Sequence, residues 1–282
     1  MMSDIREETP RSNEELREAL YGGALFLLEP TDASLRLVEA ARAEVCDVFK
    51  EFADPRQAQH QLDDGQFFRR VGELRRRLFT QESFHRAIGE LVREKGFDPA
   101  QVAFDPIRIR AIAHEGHKNE AAAPVYYAHR DTWYGHPQSL ITWWIPLDDL
   151  EEEETFVFYP ERFAQEVPND SEIFDYRDWV RDGPELRIGW QDKDASQEET
   201  YPGVIGEVEP GREVGFRCKR GQSLLFSGSH FHRTREQESG RTRFSMDFRI
   251  VDLGDEEAGL GAPNVDNRSR GSALVDYERI DD

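Results

Sequence analysis

Cysteine and lysine are the scarce residues of this chain. Its 282 residues hold two cysteines, Cys46 and Cys218, and five lysines, Lys50, Lys95, Lys118, Lys193 and Lys219. Two cysteines cannot build a disulfide framework, so a reducing, cytoplasmic setting is expected. Long apolar runs are also missing. The longest, about Gly22 to Leu28, falls far short of the roughly 20 residues a bilayer-crossing helix needs. Met1–Asn13 is polar and acidic, without the basic-then-apolar order of a secretory leader. Positive charge is short overall, with 36 Lys plus Arg against 57 Asp plus Glu and a net charge of −21. Binding a phosphate backbone or an anionic membrane requires a basic footprint, so neither nucleic acid nor a lipid surface is expected as a partner. Because nearly all the cations are arginine, the surface predicted is acid-rich and lysine-poor. Such a surface stays hydrated in concentrated salt, and a halophilic source is the corresponding expectation.

Apolar material is nevertheless ample. At 38% hydrophobic and 11% aromatic residues, one sizeable core is affordable, and a single domain over 1–282 is expected. The first part, 1–103, reads as mainly helical. A short strand at Ala24–Leu28 is followed by the helix-start signal Pro30-Thr31-Asp32 and by Leu35, Val38, Ala41, Val45 and Val48 at helical spacing through Phe52. Gly65–Leu78 and Glu82–Lys95 read as two further amphipathic helices, the second stopped by Gly96. From Phe104 the period changes to two. Ile107–Ile112 alternates, and Leu140–Leu147, Thr155–Tyr159, Val214–Cys218, Ser223–Phe226 and Arg241–Val251 read as strands. Helices first and strands afterwards predict an α+β chain whose β part, 104–252, is a sandwich or barrel. A long aperiodic stretch at about 160–211, with Trp179, Trp190 and Tyr201, reads as a packed cover. The tail, 253–282, is expected to wrap the surface or fray.

Eight histidines are present, and only His129 has an acid two residues on, in Tyr127-Ala128-His129-Arg130-Asp131. In a strand these two side chains share a face and could hold one metal ion. Among so many acids, about one or two such pairs arise by chance, so the pair alone decides nothing. A second cluster, Ser227-Gly228-Ser229-His230-Phe231-His232, follows the strand-like Leu224-Leu225-Phe226. Beyond it, Phe244, Met246 and Phe248 alternate with Arg241, Arg243, Ser245, Asp247 and Arg249. That strand is either an ordinary one with a wet face or the wall of a barrel whose arginine grips a dicarboxylate.

Taken together, His129-x-Asp131, a distal His232 and Arg243-x-Ser245 eleven residues beyond it resemble the phytanoyl-CoA hydroxylase-like branch of the non-haem Fe(II)/2-oxoglutarate-dependent dioxygenases. Trp144-Ile145-Pro146-Leu147-Asp148-Asp149 and Gly221-Gln222-Ser223-Leu224-Leu225-Phe226 are similar to that branch's segments after the metal motif and before the distal histidine. The resemblance spans about residues 104–252. It implies a double-stranded β-helix (jelly roll, cupin-like) with flanking N-terminal helices. It also implies Fe(II) held by His129, Asp131 and His232, with 2-oxoglutarate bound through Arg243, Ser245 and Trp144. Dioxygen and a small or medium-sized metabolite would be the other reactants, and an acid at 131 favours hydroxylation over halogenation. His230, with Arg241 eleven residues on, offers the same spacing one step earlier, but only Arg243-x-Ser245 completes the pattern. The resemblance breaks off at Glu154–Phe163, which replaces the family's glycine-rich segment, and with it goes the expectation of an acyl-CoA substrate. Candidate substrate contacts are Trp133, Tyr134, Tyr159 and Arg110, with Arg108 as the alternative to Arg110. The reading from another class is a cupin-like metal-binding protein without oxygenase activity, which would not require Arg243 and Ser245.

Overall fold

Side-chain caps set where the helices start. In the computed structural model, which describes residues 5–182, 201–209 and 211–280, Ser12 caps α1 (Asn13–Tyr21) by accepting from the Glu15 amide. Reciprocal Thr31/Ser34 and Asp63/Gln66 pairs cap α2 (Asp32–Val48) and α3 (Asp64–Thr80). α4 (Glu82–Glu94) follows, then two short helices, α5 (Tyr176–Asp182) and α6 (Leu253–Glu257). Helices α2 to α4 fall where the periodicity predicts them, whereas α1 does not show in the pattern because only Leu16 and Leu20 are buried along it.

The strands are β1 (Ile5–Arg6), β2 (Leu25–Leu28), β3 (Val102–Ile112), β4 (Ile141–Pro146), β5 (Phe156–Phe158), β6 (Ser223–Ser227), β7 (His232–Thr234), β8 (Arg243–Asp252) and β9 (Glu278–Arg279). Seven form one sheet in the order β1-β2-β6-β4-β8-β3-β9, antiparallel except for the parallel β1/β2 pair. β5 and β7 form a second, two-stranded sheet. The chain is thus a mixed α and β structure with a large, mostly antiparallel sheet and several helices.

Alternation gives each face of the large sheet its job. Phe244, Met246, Phe248 and Ile250 of β8, with Ile141, Trp143 and Ile145 of β4, belong to the same buried cluster as the apolar stripes of α2, α3 and α4. On the other face, Trp144, Leu224 and Phe226 meet Phe156 and Phe158 of the small sheet. A register shift in β3 between Asp105 and Arg108 inserts one extra residue opposite β8. The parity change lets Asp105, Arg108 and Arg110 all line one cavity, while Ile107 and Ile109 stay in the core.

One expectation needs correction. Val214–Cys218 is not a strand; it makes isolated bridges, Val214 to Phe158 and Cys218 to Leu150. Residues 253–280, expected to wrap the surface or fray, are tied down: β9 extends the large sheet at β3, and the buried Asp266 carboxylate accepts from Arg130 Nε (2.9 Å), Trp133 Nε1 (2.8 Å) and the Val167 amide (3.0 Å). A carboxylate with three donors is a strong tether for a segment that otherwise reads as a polar tail. In the cover, Trp179 and Tyr201 line the cavity, and Trp190 lies outside the described residues. No helix among the described residues is long and apolar enough to cross a membrane.

Candidate functional site

Two histidines 103 residues apart meet because their backbones form one rung of a ladder. The His129 amide donates to the His232 carbonyl (2.9 Å) and the His232 amide to the His129 carbonyl (3.0 Å). Residues paired in this way project to the same face, and the two imidazole centroids lie 4.5 Å apart. Asp131, two residues beyond His129, brings Oδ1 to 3.6 Å from His129 Nε2. One ligand atom from each of His129, Asp131 and His232 lies within 4.8 Å of the others, so the three can hold one metal ion.

The tautomers are set by carbonyl oxygens, which can only accept. His129 Nδ1 lies 2.9 Å from the Tyr127 carbonyl and His232 Nδ1 2.9 Å from the His230 carbonyl. Each Nδ1 therefore carries the proton and leaves an Nε2 lone pair for a metal. Burial, together with the neighbouring His129, pushes the His232 pKa down to about 4, which keeps that imidazole neutral at pH 7. Thr142 Oγ1 donates to Asp131 Oδ2 at 2.7 Å. Burial would raise the Asp131 pKa, but the Arg249 charge and the His129 contact hold it well below the usual range. His230 is turned elsewhere: its Nδ1 and Nε2 face the carbonyls of Ser227 (3.0 Å) and Gly23 (3.2 Å), and its ring packs 4.6 Å from that of Phe163.

The three residues open on a cavity of about 320 Å³, walled on one side by the polar face of β8 and on others by α3, residues 122–125 and the aromatic cover. Arg243, with 2% of its surface exposed, lines it. One guanidinium N–H, on Nη1, donates to the Glu154 carbonyl (3.2 Å), while Nε has no hydrogen-bond partner. The Ser245 hydroxyl, fully buried two residues on, has none either. Trp144 lies beside them, its ring 5.9 Å from the Arg243 guanidinium carbon. Ring contacts continue from Trp144 to Phe156 (5.3 Å) and from Phe156 to His232 (6.0 Å).

Of the expected substrate contacts, Tyr134 and Arg110 line the cavity. The Tyr134 ring sits 5.4 Å from that of His129, and Arg110 Nη2 donates to Asp247 Oδ2 at 2.9 Å. Arg108 also lines the cavity and is paired with Asp105. Trp133 and Tyr159 do not. They pack together with Phe231 in a separate buried cluster, Trp133 donating to Asp266 and the Tyr159 hydroxyl bonding Glu213 (2.9 Å) and Arg233 (2.7 Å). Both follow the metal motif and a strand closely in sequence, but their polar atoms are already spent on the protein.

Several wall residues escaped the sequence. Arg249 sits among Asp105 (3.3 Å), Asp247 (3.6 Å) and Asp131 (3.8 Å); its place on the polar face of β8 was the visible signal. His136 Nδ1 meets the Tyr277 hydroxyl at 3.0 Å, and burial and Arg249 push its pKa down to about 3. Arg75 stands four residues after Val71 and three before Leu78 on the buried stripe of α3. An arginine on such a stripe is a detectable anomaly, because charged side chains are seldom buried without a task.

No family model matches the sequence, and no curated protein does. Solved structures that align with the chain include EvdO2 from Micromonospora carbonacea var. aurantiaca complexed with 2-oxoglutarate, at 13% identity and TM-score 0.46 over 87% of this chain and 93% of that one. The apo non-haem monooxygenase ThoJ aligns at 9% identity and TM-score 0.45, over 84% of this chain and 77% of that one. The epimerase SnoN in complex with Fe3+, alpha ketoglutarate and nogalamycin RO aligns at 14% identity and TM-score 0.43, over 84% of each. Overlap at this level leaves the chemistry to be read from the residues themselves.

Proposed function

We propose that the protein is a cytoplasmic Fe(II)- and 2-oxoglutarate-dependent dioxygenase that hydroxylates a small or medium-sized metabolite. We further propose that its two sheets, joined as one domain, are the two halves of a double-stranded β-helix. The observation that carries the reading is the pairing of a two-histidine, one-carboxylate cluster with a buried arginine and serine that leave donor capacity unused in the same region. Two imidazole nitrogens and a carboxylate oxygen suit Fe(II). A buried guanidinium without a full set of partners is costly unless an anion completes it. The far carboxylate of 2-oxoglutarate, gripped by Arg243 with help from Ser245, is such an anion.

With both bound, dioxygen is reduced as 2-oxoglutarate loses CO2 to give succinate, and a substrate C–H bond is oxidised. The chain's own part is to position and to exclude. His129 and His232, fixed by their Nδ1 donations, aim their Nε2 lone pairs inward, and Thr142 holds the Asp131 carboxylate in place. Trp144, beside Arg243, and Phe156 and Phe226, beside His232, form a buried apolar wall, which keeps water from the cosubstrate. A carboxylate at 131 fills a ligand position that a halogenating site would leave to halide, which favours hydroxylation.

The test is succinate release from 2-oxoglutarate under Fe(II) and oxygen, together with iron content of single variants. His232→Ala is expected to lose bound iron and succinate formation, while His230→Ala retains iron. Absence of succinate formation from wild-type protein, with no 2-oxoglutarate-dependent thermal shift, would instead favour a cupin-like metal-binding protein.

A further inference from the structure

Asp131, the carboxylate of the metal cluster, stands just past the one regular rung of its segment. That rung ties His129 to His232, and the chain then leaves it for a 3-10 turn over Asp131–Tyr134. Thr142 steadies the carboxylate itself, and the Thr132 amide reaches the Gly228 carbonyl at 3.3 Å. The rest of the fastening comes from the far end of the chain. Arg130 Nε donates to Asp266 Oδ2 at 2.9 Å and Trp133 Nε1 to Asp266 Oδ1 at 2.8 Å, one on each side of Asp131 in sequence. Further along, the Gly135 amide donates to Ser269 Oγ (3.2 Å), and the Gly135 carbonyl accepts from the Ala273 amide (2.8 Å). Arg130 extends the tie to the second histidine: its Nη1 donates to the carbonyl of Ser229, three residues before His232. Its Nη2 donates to the carbonyls of Arg162 (2.7 Å) and Gln165 (2.9 Å), where the cover begins. The Arg130 and Asp266 side chains are each 1% exposed. Desolvation offsets most of the attraction in a buried pair, so this one contributes less to net stability than to fixing a single arrangement.

We propose that Asp266 is a positioning residue for the metal centre: through Arg130 and Trp133 it sets where the Asp131 carboxylate stands relative to His129 and His232. This rests on the dioxygenase reading only in taking those three residues as metal ligands. Asp266 itself does not line the cavity, so its effect on the centre passes through its neighbours. Asp266→Asn keeps the shape of the side chain, but its amide nitrogen has to face Arg130, Trp133 or Val167, and one of the three bonds becomes a contact between two donors. The turn that carries Asp131 then loses part of its fastening, while all three ligands remain in the chain.

The experiment titrates Co(II), whose visible absorption follows the geometry of its ligands, into the whole chain and reads affinity by calorimetry. Wild-type binding is read first; its absence overturns the metal cluster itself, and the proposal with it. Asp266→Asn is expected to bind Co(II) about tenfold more weakly, the scale of loss when a group that orients metal ligands is removed, and to change the visible spectrum. Trp133→Phe, which removes one donor and keeps an aromatic ring, is expected to shift both in the same direction by less. Leu37→Ala truncates a buried side chain of α2 and controls for stability: it is expected to lower the melting temperature while Co(II) affinity and spectrum stay as in wild type. Wild-type affinity and spectrum in Asp266→Asn overturn the positioning role and leave the metal site standing. So does a loss in Leu37→Ala as large as that in Asp266→Asn at a comparable drop in melting temperature, because stability alone then accounts for both. Should Asp266→Asn fail to fold, Trp133→Phe is judged by the same two criteria.

Discussion

The two halves of one strand face, residues 243 and 245 against residues 247 and 249 of β8, are alike in burial and different in charge pairing. At the far half, Asp247 takes Arg110, and Arg249 is surrounded by Asp105, Asp131 and Asp247 within 3.8 Å, although its Nε, like that of Arg243, makes no hydrogen bond. At the near half, Arg243 spends one N–H on the Glu154 carbonyl, and its Nε and the Ser245 hydroxyl have no partner. All four are at least 90% buried, so water does not explain the difference. Buried charges that neutralise one another are structure, whereas a buried guanidinium whose hydrogen bond goes to a carbonyl rather than a carboxylate suits an anionic ligand. A polar strand face thus divides into a brace that holds Asp131 and a socket for an anion.

That division predicts opposite phenotypes for two arginines six residues apart. Arg249→Leu takes one cationic partner from each of three buried aspartates, and loss of one partner from a buried ion cluster costs about 3–5 kcal/mol; denaturant unfolding of the ligand-free protein reads it. Arg243→Leu is expected to leave unfolding free energy within about 1 kcal/mol of wild type, since it removes an unsatisfied group. It should instead weaken 2-oxoglutarate binding by about a hundredfold, or nearly 3 kcal/mol, because a charge-assisted fork is lost. Calorimetry with an inert divalent metal measures the second effect. Equal destabilisation by both variants would break the comparison and make the near half structural as well.

The sequence shows the polar face of β8 but not its division. Alternation of Phe244, Met246 and Phe248 with charged residues is local, and so is the spacing from His232 to Arg243, which is why face and motif are both legible. Satisfaction is not local. Whether Arg249 finds partners depends on Asp105, 144 residues away, and on the bulge that turns Asp105 and Arg108 toward the same cavity. Nor does sequence distance from the motif measure distance from the site. Trp133, two residues after Asp131, turns instead to Asp266, while Tyr277 from the acidic tail reaches the cavity wall. Helices α2 to α4 were visible because each buries a continuous stripe. The Val214–Cys218 segment alternates like a strand yet makes only isolated bridges, since β-pairing depends on a neighbour that the local pattern does not name.

The smallest expected effect sharpens the comparison most. Ser245→Ala removes a fully buried hydroxyl without a partner, so the ligand-free protein should be no less stable, and a gain of a few tenths of a kcal/mol is consistent with relief of an unmet hydrogen bond. If the hydroxyl helps to grip the same carboxylate as Arg243, 2-oxoglutarate affinity should fall about fivefold, near 1 kcal/mol. The two losses should then be coupled. Once Arg243→Leu has released the carboxylate, adding Ser245→Ala has nothing further to remove, and the double variant should bind like Arg243→Leu alone. Additive losses would mean that the serine and the arginine act on different groups, and the near half of the face would not be a single socket.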